Sequence, residues 1–134
     1  MSTVQSFTIG SMTINASMPN PFEQDEAMSL IGSGLVQRAV IAARNNIEMG
    51  EDMLINMFIT LDYPIKCRVA GILLSKAFVA GTETKADVSY FQGKLCSYNK
   101  LLAQLTLWNY MDFFTYWRDA LKDVTVPPVT PQQE

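Results

Sequence analysis

From Leu101 to Trp117 the chain carries a single charge, Asp112, while Trp108, Tyr110, Phe113, Phe114, Tyr116 and Trp117 fall on every side of a helical axis. A helix that is apolar all round has to be surrounded by other structure. Gln104, Asn109 and Asp112 make the stretch too polar, and its apolar runs too short, for a bilayer, so no membrane span is expected. The segment is therefore expected to be the centre of a helical core, a contact between subunits, or both.

Composition points the same way. Of 134 residues, 49% are hydrophobic and only 17% charged, against about 25% in typical domains. A chain this long buries roughly two-thirds of its surface in one core. Too few ionic groups remain to coat the outside, and some apolar surface is expected to meet a partner. The net charge of −3 and pI near 4.9 lack the basic footprint of nucleic-acid binding, and no run of carboxylates suggests a nucleic-acid mimic.

The first strong local pattern is Phe7-Thr8-Ile9-Gly10-Ser11-Met12-Thr13-Ile14, alternating on both sides of Gly10-Ser11. It predicts a two-residue β-hairpin with Phe7 opposite Ile14 and Ile9 opposite Met12, all four on one face. A lone hairpin is marginal in water, so it must lie on helices of its own chain or join strands from a neighbour. The alternative is an extended arm.

Asn20-Pro21-Phe22-Glu23 supplies an N-cap, a first-turn proline and a capping glutamate. The helix it opens is expected to reach Gly50, with Gly32-Ser33-Gly34 as the point where it could split. A second helix from Glu51 to Leu61 is broken at Asp62-Tyr63-Pro64. A third is expected from Pro64 to about Ala80, with Ile65, Val69, Ile72 and Leu73 inward and Lys66, Arg68 and Lys76 in water. Thr84-Lys85-Ala86-Asp87 reads as another capping box, opening a long helix to about Asp123 with Val88, Phe91, Leu95, Tyr98, Leu102 and Leu105 as its seam. The fold is thus expected to be mainly α, a bundle of four to five helices. The parts are a hairpin or arm over 1–19, a helical domain over 20–123 and a disordered proline-rich tail over 124–134.

The chain contains no histidine, which excludes Ser-His-Asp, Cys-His and zinc-helix chemistry. Glu23, Asp25 and Glu26, and Glu48, Glu51 and Asp52, cluster at helix ends where dipoles and caps explain them. No catalytic residue, cofactor or metal site is assigned. Cys67 and Cys96 fit free, buried thiols better than a disulfide, although Lys66 and Arg68 flank Cys67. Residues 1–22 show no Sec signal, so a cytoplasmic location is expected.

These features suggest a non-catalytic protein that assembles with itself as a homo-oligomer, particle or filament. The candidate interface is Leu105, Trp108, Tyr110, Asp112, Phe113, Phe114, Tyr116 and Trp117, with Phe7, Ile9, Met12 and Ile14 of the hairpin. An adaptor, chaperone or inhibitor for one heterologous protein is the alternative, and a ligand pocket of Trp108, Tyr110, Phe114 and Trp117 the third. Asp112 either marks the solvent edge of the aromatic helix or specifies pairing in an assembly.

Overall fold

Gly10, at φ 61°, occupies a left-handed conformation that suits glycine and closes the turn between β1 (Val4–Ile9) and β2 (Met12–Ser17). The computed structural model describes residues 3–122, and the register is the one the alternation implies: Phe7 against Ile14, Thr8 against Thr13, Ile9 against Met12. Phe7, Ile9 and Ile14 are buried and Met12 is half-buried, so the hairpin is seated on its own chain.

A third strand completes the sheet. β3 (Ala77–Val79) pairs antiparallel with β2, Ile14 facing Val79 and Ala16 facing Ala77, in the order β1-β2-β3. The sequence had placed these residues at the end of the third helix. That helix stops at Leu73 because β2 presents an open edge: Ser17 donates to Lys76 O and Ala80 to Thr13 O, each main-chain bond longer-ranged than any helical one. Thr84 to Ala86 then return along β3, Val79 donating to Thr84 O and Ala86 to Ala77 O, so the expected capping box there is an extended segment.

Helix α1 (Pro21–Arg44) starts as read: Asn20 Oδ1 accepts from Glu23 N at 2.9 Å and Glu23 Oε1 from Asn20 N at 3.3 Å. It runs unbroken through Gly32-Ser33-Gly34. A Cβ on Gly34 would lie 3.5 Å from Met57 Sδ, an ordinary contact distance, so the next helix packs here without requiring a glycine. α1 ends at Arg44, short of Gly50, because Asn46 takes the left-handed conformation at φ 57° and Ile47 N donates back to Ala42 O. α2 (Glu51–Thr60) and α3 (Tyr63–Leu73) follow, separated at Leu61 and Asp62, where ψ is 145° and 130°; Tyr63, expected outside the helix ahead of Pro64, is instead its first residue.

The expected long helix is two helices and a turn. Asp87 Oδ1 takes the N–H groups of Ser89 and Tyr90 and shapes a 3-10 turn at Val88–Phe91, after which Gly93 (φ 76°) redirects the chain into α4 (Leu95–Asn109). A bend at Tyr110 separates α4 from α5 (Met111–Lys122). Val88 and Leu95, expected in the seam, are exposed, while Phe91, Tyr98, Leu102 and Leu105 are buried.

α4 is the central element. Leu101, Leu102, Ala103, Leu105 and Thr106 are sealed from solvent, with α2, α3 and β1 packed around them. Phe7 meets Trp108 edge-on at 5.4 Å, fixing the sheet to the bundle. α5 lies along α1. The architecture is mainly α, five helices with an N-terminal antiparallel sheet among the described residues. The expected tail from residue 124 lies outside them. No helix among them is long and apolar enough to cross a membrane.

Candidate functional site

The apolar stretch divides at Tyr110 into a half that is surrounded and a half that is not. Leu105, Tyr110 and Phe114, together with Phe7, Ile9 and Ile14, belong to the core of this chain and are unavailable to a partner unless it opens. The physical reason is that α4 satisfies its whole circumference within the molecule. Met12, Trp108 and Trp117 are half-buried, while Asp112, Phe113 and Tyr116 are exposed.

What remains open is one side of α5. Phe113, Tyr116 and Ala120 recur at three- and four-residue steps and all face solvent, Tyr116 at 65% exposure. Trp117 lies beside them, 5.8 Å from the Phe113 ring, and turns its other edge to Phe114 at 6.1 Å. Phe114 is buried toward α1. α5 is therefore amphipathic in an unusual sense: one apolar strip is covered and an adjacent one is open.

Asp112 and Asp119 are both exposed on this helix. Asp112 Oδ1 accepts from the adjacent Phe113 N at 2.9 Å, and its side chain is open to solvent. Arg118 reaches Glu48 at 3.2 Å, tying α5 to the loop after α1 through an exposed pair of small energetic weight. Phe22, at 87% exposure, stands in the first turn of α1, whose Pro21, Gln24 and Asp25 border a shallow depression with Asp112 and Phe113. Tyr110 borders that depression as well, whereas Phe114 borders a groove with Ala39, Ala42 and Arg118.

A second feature escaped the sequence reading. α3 presents Cys67, Ala70, Gly71 and Leu74 on one side, and these residues with Asp87, Val88 and Tyr98 line an open groove of about 310 Å³. Cys67 and Cys96 are exposed, not buried as expected, because each sits on the outer side of its helix. Lys66, expected in water, donates to Asn99 Oδ1 at 2.5 Å and lies 5.8 Å from the Tyr98 ring centroid; loss of hydration lowers its pKa. Burial, reinforced by the neighbouring Cys67, Tyr63 and Asp87, pushes the Tyr98 phenol up to about 12. The Cys67 thiol likewise raises Tyr63. Hydrogen bonds from Ser89 and Tyr90 hold the Asp87 carboxyl below the usual carboxylate range. A spacing of 67, 70, 71 and 74 marks one helical face, but nothing local revealed that Tyr98 would border it.

Gly71 is in the middle of α3, and a Cβ there would meet nothing within 4 Å. Glycine costs a helix interior about 1 kcal/mol relative to alanine. Gly71→Ala is therefore expected to stabilise the chain by ~0.5–1 kcal/mol in urea unfolding; a loss would mean that the wall of this pocket is tighter than its geometry.

Comparison with protein-family models, with curated proteins and with solved structures gives no match for this chain. Its chemistry rests on its own residues.

Proposed function

We propose that this chain is a non-catalytic helical protein that assembles with copies of itself through the open strip of α5. The observation that carries this reading is the exposed row Phe113, Tyr116 and Ala120 beside Trp117, on a helix whose neighbouring strip is already covered by α1. Covering such a row is favourable by about 25 cal/mol per Å² of apolar surface. With charged residues at only 17% of the chain, a second copy is the simplest cover, and two-fold self-pairing is the commonest way proteins close such a surface.

Asp112 and Asp119, exposed on the same helix, favour one other reading. An aromatic row with acidic neighbours also suits an apolar helix rimmed by lysine or arginine, which would make the chain an adaptor or inhibitor of a heterologous protein.

Light scattering over a wide concentration range separates the two. Self-assembly predicts a mass that rises with concentration, and a Phe113→Ser, Tyr116→Ser double variant that stays monomeric. Tyr116 faces solvent and its loss should change stability by no more than about 0.5 kcal/mol; Phe113, 40% exposed beside Trp117 and Tyr110, should cost about 1 kcal/mol, and thermal unfolding of the variant checks that it is still folded. A wild-type chain that is monomeric throughout sinks self-assembly, and retention on a basic amphipathic peptide, abolished by the same substitutions, would then support the adaptor reading.

A further inference from the structure

The pocket between α3 and α4 has one polar group with nothing to do. Tyr98 is 7% exposed, and its hydroxyl has no hydrogen-bond partner among the described residues. A buried phenol ordinarily finds a partner. The other polar groups at the wall are engaged: Asp87 accepts from Ser89 N, Ser89 Oγ and Tyr90 N, Lys85 Nζ donates to Ser75 O at 3.1 Å, Ser75 Oγ donates to Ile72 O at 3.0 Å, and the Cys67 thiol pairs with Tyr63. Tyr98 itself lines the pocket, with Cys67, Ala70 and Gly71 of α3 among the other walls.

The remaining lining is apolar. Ala70, Leu74, Val88 and the Tyr98 ring form it, and Gly71 leaves room where a side chain would intrude without clash. A volume of about 310 Å³ falls at the lower end of the range for small-molecule sites, which pair apolar walls with a few placed polar groups.

We propose that this pocket binds a small, largely apolar molecule bearing one neutral carbonyl group, whose oxygen accepts the Tyr98 hydroxyl. Neutrality follows from the lining: the one carboxylate, Asp87, and the one ammonium, Lys85, offset each other, so the wall carries no net charge to hold an ion. The site lies on elements other than α5 and stands or falls independently of the assembly reading.

The test is a heteronuclear NMR titration of the full chain with a panel of small aryl and branched-alkyl carboxamides, each paired with the matching carboxylate, up to about 10 mM, a ceiling set by the affinity available to so few atoms. Carboxamides should give saturable shifts centred on Gly71, Val88 and Tyr98, with the carboxylates weaker. Tyr98→Phe, which removes only the unpartnered hydroxyl, should weaken the best carboxamide about tenfold. Gly71→Leu should abolish the shifts while leaving the rest of the spectrum in place. No saturable binding by any carboxamide, equal affinity in Tyr98→Phe, or carboxylates binding as well as carboxamides would each overturn the proposal.

Discussion

Tyr110→Ala is expected to be among the most damaging single substitutions in the molecule, lowering stability by about 3–5 kcal/mol and the melting temperature by roughly 10–15 °C. Tyr110 is 1% exposed and is the largest of the fully buried side chains. Its ring lies 6.3 Å from Phe113, and its hydroxyl donates to Gln24 O at 2.8 Å, bridging the α4–α5 bend to the first turns of α1. Removing it opens a cavity where α4, α5 and α1 meet. Tyr110→Phe keeps the ring and loses one hydrogen bond, so it should cost only about 1 kcal/mol. Thermal unfolding of the three proteins checks the order. If the alanine variant were no worse than the phenylalanine one, α5 would not be pinned at this point, and its open strip could not be a rigid surface. The consequence for function is direct, because the tyrosine that anchors α5 also sets the angle at which Phe113 and Tyr116 meet the outside.

The second large effect is a loss of stability in alkali. Tyr98 is held up to about 12, and burial raises Tyr110 further still, against the ordinary tyrosine value of 10.0. The folded state therefore keeps two protons that the unfolded chain releases above pH 10. A raised folded pKa contributes stability that is complete below the unfolded value and disappears as pH climbs through the folded one. Stability should be flat with respect to these groups below pH 10 and fall between pH 10 and 12, by on the order of 1 kcal/mol per pH unit for each tyrosine. Urea midpoints measured across this window, with tyrosinate absorbance at 295 nm as the second readout, should show ionisation of both residues coinciding with unfolding. The Tyr98→Phe, Tyr110→Phe double variant should lose most of that slope. An unchanged slope would mean that both hydroxyls reach solvent in the native state.

Much of the architecture could be read along the chain because its causes are short-ranged. The pairing of Phe7 with Ile14 follows from alternation and a two-residue turn. The start of α1 follows from two side chains three residues apart, and a break between α2 and α3 is marked by Asp62-Tyr63-Pro64, although it falls at Leu61 and Asp62 and Tyr63 joins the helix. Equally, a nearly uncharged run of seventeen positions from Leu101 to Trp117 required that a helix be surrounded, and α4 is.

The tertiary structure decided what no local rule reaches. Ala77–Val79 has a helix-compatible sequence before it and a glycine after it, and becomes a strand only because β2, more than sixty residues earlier, offers an unpaired edge. The bend at Tyr110 accompanies a hydrogen bond to Gln24, across 86 positions. That bend turned one expected interface helix into a buried half and an open half, removing Leu105 and Phe114 from the candidate surface and leaving Phe113 and Tyr116 on it. The meeting of Tyr98 with Cys67 and Gly71 along one groove is of the same kind. Periodicity specifies which residues share a face; which face is covered, and which hydroxyl is left without a partner, depends on elements brought together from distant parts of the chain.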